Sequence, residues 1–149
     1  MNNKTIKESI YEHSAELSEM QPVKELEGVL DMSKMSFAKR TEIIEEEYRK
    51  FGKHVEREDL GTIDLSDKQI NQALKYLKTY EENAVFFAVP KVIKTGIVIS
   101  ETNNHKGRGY ETITIAAPVI LNRKRFNVGV VLKRTKGLRY KMHRIVAVN

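Results

Sequence analysis

Apolar residues recur at helical spacing as far as Gly96 and then alternate with polar ones, a change of period that separates helical from extended chain. Residues 5–20 fit an amphipathic helix: Ile6, Ile10, Ala15 and Leu17 form a loose stripe among Glu8, Glu12, Glu16 and Glu19. Thr5, with Glu8 three residues on, has the form of a capping box. Pro22 punctuates the chain, and residues 23–31 fit a short second helix weakened by Gly28. Ser36 is placed to cap a helix running to about Lys50, with Phe37, Ile43, Ile44, Tyr48 and Phe51 on its buried side and Gly52 as its stop. Residues 55–65 are irregular, with a turn at Gly61. Ser66-Asp67-Lys68-Gln69 is the clearest helix start, followed by the stripe Ile70, Ala73, Leu74 and Leu77. Pro90 interrupts the apolar run from Ala84, predicting a kinked helix or two short ones, and Gly96 reads as a C-cap.

Ile97 to Ser100 fits a first strand, and residues 102–109 a polar loop. Residues 110–121 form a second strand, with Pro118 marking a bulge or an edge. Asn122-Arg123-Lys124 is a turn, Phe126 to Lys133 a third strand, Thr135-Lys136-Gly137 another turn, and Leu138 to Val148 the last strand. The prediction is an α+β fold with N-terminal helices packed on a C-terminal antiparallel sheet of about four strands. Residues 1–54 read as a helical N-terminal extension and 55–149 as the α+β domain, the whole forming one compact unit.

Alternation divides the strands into faces. Phe126, Val128, Val130, Leu132, Ile113, Ile115, Ala117, Tyr140, Met142 and Val146 fit the core side. The open side then holds Tyr110, Thr112, Thr114, Lys133, Arg139, Lys141 and His143, while Arg144 turns towards the helices, placed to anchor the acidic N-terminal half.

Charge sharpens this picture. The net charge of +6 is unevenly spread: residues 1–60 carry 10 Lys/Arg against 14 Asp/Glu, whereas residues 101–149 carry 11 against 2. A field concentrated in the strand segment suits a polyanion partner, with a solvated basic face as the plain alternative. Cysteine is absent, which excludes disulfides and thiolate chemistry. No apolar run reaches the ~18 residues of a membrane helix, and no secretory signal is evident near Met1. The expected setting is cytoplasmic, or the inside of a host or target cell after delivery.

The open face has no Asp or Glu, so glycosidase-type and two-metal chemistry are poorly supported. The run Glu45-Glu46-Glu47 reads as a solvated helix face, since consecutive helical residues diverge. What remains is metal-free RNA cleavage, in which a ribose 2′-hydroxyl attacks its neighbouring phosphate. His105 and His143 are the candidate acid and base. Lys133 and Lys141 would stabilise charge on the phosphoryl oxygens, and Lys106, Arg108, Arg139 and Arg144 would bind phosphates. Tyr110, Thr112, Thr114 and Tyr140 complete the candidate site. His13 and His54, in the helical half, read as structural.

Ile93-Lys94-Thr95-Gly96, His105-Lys106-Gly107-Arg108, Ile115-Ala116-Ala117-Pro118-Val119 and Arg139-Tyr140-Lys141-Met142-His143-Arg144-Ile145 together resemble a domain carried by large polyvalent proteins of phages and mobile elements. That group is similar in pattern to the barnase, EndoU, colicin E5/D and RelE-like nuclease fold. The likeness covers roughly residues 55–149. It implies helices on a four-stranded antiparallel sheet and a metal-free, often toxin-like RNase that needs no cofactor. His105, Lys106, Arg108, Tyr140, Lys141, His143 and Arg144 stand in the matched motifs. RNA, tRNA included, is the expected partner, with an immunity or host protein as a second. The alternatives are a non-catalytic nucleic-acid-binding module and a phage-encoded protein-interaction or inhibitor domain.

Overall fold

The computed structural model describes residues 5–102 and 109–149. The chain begins with helices α1 (Ile6–Glu12) and α2 (Ser14–Glu19), strand β1 (Lys24–Leu26), helix α3 (Phe37–Arg49) and the strands β2 (His54–Arg57) and β3 (Gly61–Asp64). Helices α4 (Asp67–Leu74) and α5 (Tyr80–Ala84), a 3-10 turn over Val85–Ala88, and α6 (Val89–Thr95) follow. The strands β4 (Ile97–Thr102), β5 (Tyr110–Leu121), β6 (Lys124–Thr135) and β7 (Tyr140–Val148) complete it.

The predicted meander is present: β4, β5, β6 and β7 pair antiparallel in succession. The sheet is nonetheless larger than the pattern suggests, and mixed. Its order is β1-β5-β6-β7-β3-β2, with β4 also on β5, and β1–β5 and β3–β7 run parallel. The segment read as a second short helix contributes β1, and the irregular stretch 55–65 is the β2–β3 hairpin. Strands of three or four residues are too short to display alternation, and parallel partners give no hairpin signal.

Pro118 resolves as an edge residue. β4 covers β5 from Thr112 to Ala116 and β1 covers it from Val119 to Leu121, so Pro118 falls between the two. Its carbonyl accepts from Val23 at 2.9 Å on that outer side, where a missing N–H removes no bond to β6. The two-residue β5–β6 turn has positive φ at Asn122 (50°) and Arg123 (68°), as tight hairpins require. The Asn122 side chain accepts from the Gly28 amide and donates to the Tyr80 hydroxyl, both at 3.0 Å.

The core lies on both sides of the sheet. On one side Ile113, Ile115, Val119, Phe126, Val128, Val130, Leu132, Tyr140 and Met142 pack with α3, α4, α6 and the 3-10 turn around Tyr48 and Phe86. On the other, Ile10 and Leu17 of α1 and α2 cover Ile99, Ala116 and Val148. Gly129 admits α1, since a Cβ there would stand 3.0 Å from Ile10 Cδ1. The sheet face opposite the main core is therefore partly closed by the first two helices, at Ala116, Gly129 and Val148. β1 and α3, both from residues 1–54, are built into the sheet and the larger core.

Capping follows the pattern in part. Thr5 and Ser36 accept from the amides of Glu8 and Lys39, each at 3.1 Å. Ser66 starts α4 without a side-chain cap; the reciprocal box forms instead at Thr79 and Glu82. Pro90 sits in the first turn of α6 directly after the 3-10 turn, the second of the two predicted arrangements. Three helix C-termini are closed by distant arginines. Arg40 donates to Leu74 O and Leu77 O, Arg57 to Ile93 O and Gly96 O, and Arg125 to Leu17 O and Met20 O. Each satisfies carbonyls that the helix itself leaves unpaired. Arg57 also donates to Asp59, which holds that carboxyl below its usual range.

Tyr48 is wholly buried, and its hydroxyl donates to Phe86 O at 2.7 Å. Burial pushes its phenol well above the ordinary value. Tyr48→Phe strands that carbonyl and is expected to lower unfolding free energy by about 1–3 kcal/mol, read from urea denaturation. An unchanged midpoint would contradict this.

Candidate functional site

The site is shaped by one extra residue in β7. Leu132 of β6 pairs with Met142, but Val131 pairs with Arg144, which leaves His143 as a bulge. The bulge reverses the alternation beyond it. Tyr140 and Met142 face the larger core, and so do Ile145 and Ala147, while Val146 and Val148 join the α1–α2 side. Two expectations change as a result. Val146 is not in the main core. Arg144 does not turn towards the main-core helices but shares a register row with Val131 on the face of Lys133 and Lys141.

Beyond the reach of α1 that face carries an ordered cationic row. Thr112, Lys133 and Lys141 stand in register across β5, β6 and β7, and Thr114, Val131 and Arg144 form the next row. Thr114 and Val131 are buried, Lys133 is half-buried, and Lys141, His143 and Arg144 are exposed. Directly opposed residues on one face bring their Cβ atoms within about 4.5–5.5 Å, and like charges so placed repel. The Lys133 ammonium also lies 4.1 Å from the centre of the Tyr110 ring, a cation–π contact that gathers Tyr110 into the row. Asp64 adjoins Lys141 across the β3–β7 pair, and Arg139 approaches it at 3.4 Å. Arg139 is thereby drawn to a carboxylate at the margin of the row.

The opposite face holds a second polar cluster that sequence reasoning missed. Arg134 Nε and Nη2 both lie 2.8 Å from Glu111 Oε2, and the Tyr140 hydroxyl is 3.5 Å from the same oxygen. The guanidinium carbon stands 4.3 Å over the Tyr140 ring. Burial raises the Tyr140 phenol, Glu111 and Glu101 add to this, and Arg134 opposes it. The signal was available: Glu111 and Arg134 share the parity of Ile113 and Leu132, so opposite charges at core positions face each other on neighbouring strands. Tyr140 thus belongs to this cluster and not to the cationic row. Arg134 and Arg125 are likewise committed internally, so part of the C-terminal basic excess serves the fold.

His105, Lys106 and Arg108 lie outside the described residues. His13 Nδ1 lies 2.9 Å from Ser9 O, and His54 Nδ1 lies 3.0 Å from Gly52 O, both local contacts. Among the described residues no group of three or more His, Asp or Glu is arranged to hold a metal ion. No helix among them is long and apolar enough to cross a membrane.

No curated protein and no solved structure matches the chain. A family model does, over residues 35–141, from just before α3 to the start of β7. That span includes both lysines of the row and the Glu111–Arg134–Tyr140 cluster, and stops before His143. The chain belongs to the family of large polyvalent protein-associated domain 3.

Proposed function

We propose that this domain binds RNA along the row of Lys133, Lys141 and Arg144 and cleaves it without metal, by attack of a ribose 2′-hydroxyl on the adjacent phosphate. The observation that carries the reading is the direct opposition of Lys133 and Lys141. Their repulsion costs stability in the free protein and is offset once phosphates lie between them. Thr112 in the same row adds a hydroxyl donor. His143 supplies an imidazole at a bulge, a device that re-aims a side chain beside a site. Its partner in acid–base transfer is His105, with Lys106 and Arg108 as further phosphate ligands, on the strength of the sequence alone. The likeness to the barnase, EndoU, colicin E5/D and RelE-like group supports a toxin-type nuclease, acting in the cytoplasm of the cell it occupies. An immunity or host protein would then mask the row with carboxylates.

The test is incubation of the purified protein with total RNA and tRNA in the presence of a chelator. Fragments ending in a 2′,3′-cyclic phosphate are expected. RNA left intact with and without divalent metal would sink the enzyme reading. A non-catalytic RNA-binding module is the second reading, favoured by one observation: Asp64 is the one carboxylate in register with the cationic row among the described residues. In either case Lys133→Glu/Lys141→Glu removes two phosphate contacts. The slope of log affinity against log salt should fall by roughly 1.4 for single-stranded RNA, measured by fluorescence anisotropy. A slope equal to wild type would place the RNA elsewhere.

A further inference from the structure

β7 outruns the strand beside it. β3 pairs with it only at Tyr140 and Lys141 before the chain leaves for α4, whereas β7 continues to Val148. β6 takes one side of that continuation. Among the described residues no strand lies along the other side, from Arg144 to Val148. A groove of about 570 Å³ runs along this edge. On one flank it is lined by Ala73 of α4 with Tyr76 and Leu77 just after that helix, and on the other by Lys7 of α1.

Exposed strand edges are usually blunted by charge, proline or shortness, because their free N–H and C=O groups are a template for another strand. Here Arg144 is followed by Ile145, Val146, Ala147 and Val148 without a polar interruption. The groove therefore offers backbone pairing along its floor and two chemically different walls. A strand laid in it would point alternate side chains to the two walls. One set would meet Ala73, Tyr76 and Leu77; the other would meet Lys7 and Arg144, since Arg144 lies on the α1 face. Tyr76 is 71% exposed at the rim, the kind of aromatic that anchors an interface. Glu81, Glu82 and Lys124 also line the groove; Glu82 is engaged at the Thr79 cap, and the Lys124 ammonium stands 5.7 Å from the centre of the Phe126 ring.

We propose that the outer edge of β7 takes up an extended segment of a partner protein in which acidic and apolar residues alternate, adding a strand to the sheet. The apolar residues pack on Tyr76 and Leu77, and the carboxylates face Lys7 and Arg144. This site shares Arg144 with the proposed RNA surface, but Tyr76 and Lys7 lie outside that surface, and peptide uptake does not depend on RNA cleavage.

The probe is a synthetic ten-residue peptide of alternating Glu and Val flanked by serines, titrated into the isotope-labelled full chain. Chemical-shift changes centred on residues 144–148 are expected, with affinity lowered about tenfold by Tyr76→Ala and by Arg144→Glu. Tyr76 is exposed, so its replacement leaves the fold intact, which the amide spectrum checks. A peptide with the same residues in two blocks, or with Lys in place of Glu, should bind much more weakly. Equal binding of either control, or no binding of the Glu–Val peptide at millimolar concentration, overturns the proposal. Self-association that saturates the same amides would assign the edge to a second copy and overturn it too.

Discussion

His143→Ala is expected to slow RNA cleavage by about two to four orders of magnitude, the usual worth of a positioned acid or base. RNA affinity and unfolding midpoint should stay close to wild type. The side chain is exposed at the bulge, so its truncation opens no cavity. In the proposed binding mode the phosphates are held by Lys133, Lys141 and Arg144, which the substitution leaves in place. Single-turnover cleavage and anisotropy titration separate the two effects. A rate that falls only as far as affinity falls would make His143 a binding residue. Glu111→Gln is the informative companion, because that carboxylate is held by Arg134 on the other face of the sheet. If Glu111→Gln abolishes cleavage and His143→Ala does not, the chemistry belongs to the Glu111–Arg134–Tyr140 face.

Gly96→Ala should be the most damaging alanine substitution among the described glycines, costing about 3 kcal/mol, the upper end of overpacking. A Cβ there would lie 2.5 Å from Val92 O, 2.7 Å from Ala116 O and 2.7 Å from Ile115 Cγ2. Two of the three obstacles are backbone carbonyls, one at the end of α6 and one in β5. Arg57 pins the glycine itself by a 2.7 Å bond to its carbonyl. Gly129→Ala is the contrast: its methyl would meet the tip of Ile10 at 3.0 Å, and a side-chain end yields more readily than a carbonyl. Urea denaturation of both variants measures the difference. Equal losses would mean that the α6–β5 junction relaxes.

Gly96 also shows how a residue can be read correctly for an incorrect reason. The sequence suggests a C-cap glycine, and Gly96 does cap α6, yet its φ is −73°, open to any residue. What demands glycine is the approach of α6 to β5, which no local pattern encodes. The alternation of β5 and β6 was legible because long strands with one face in the main core repeat their signal many times over. β1 was not, since Lys24, Glu25 and Leu26 pair only because β5 passes beside them. The bulge at His143 was equally hidden. A one-residue insertion leaves no compositional mark, yet it decides the face of Arg144, a residue on which the site depends. The cationic row was legible in Lys133 and Lys141, whose parity is set before the bulge. The Glu111–Arg134 pair escaped notice because each charge, taken alone, reads as solvated surface.

The arginines that finish the helices reach across long stretches of chain. Arg40 and Arg57 contact helix ends 34 to 39 residues away, and Arg125 closes α2 from 105 to 108 residues away. The helices they close have six, eight and seven residues, well under the ~12–15 at which an isolated helix holds in water. These three helices are therefore expected to hold only once the elements that carry their arginines are in place. The β5–β6 hairpin is the element whose pairings are nearest in sequence relative to its size, and loop closure favours such pairings first. Assembly is therefore expected to run from the C-terminal hairpin back towards α1 and α2, against the direction in which a ribosome delivers the chain; earlier amide protection in β5 and β6 than in α1 during refolding would show it. The helices synthesised first must wait for the surface on which they form.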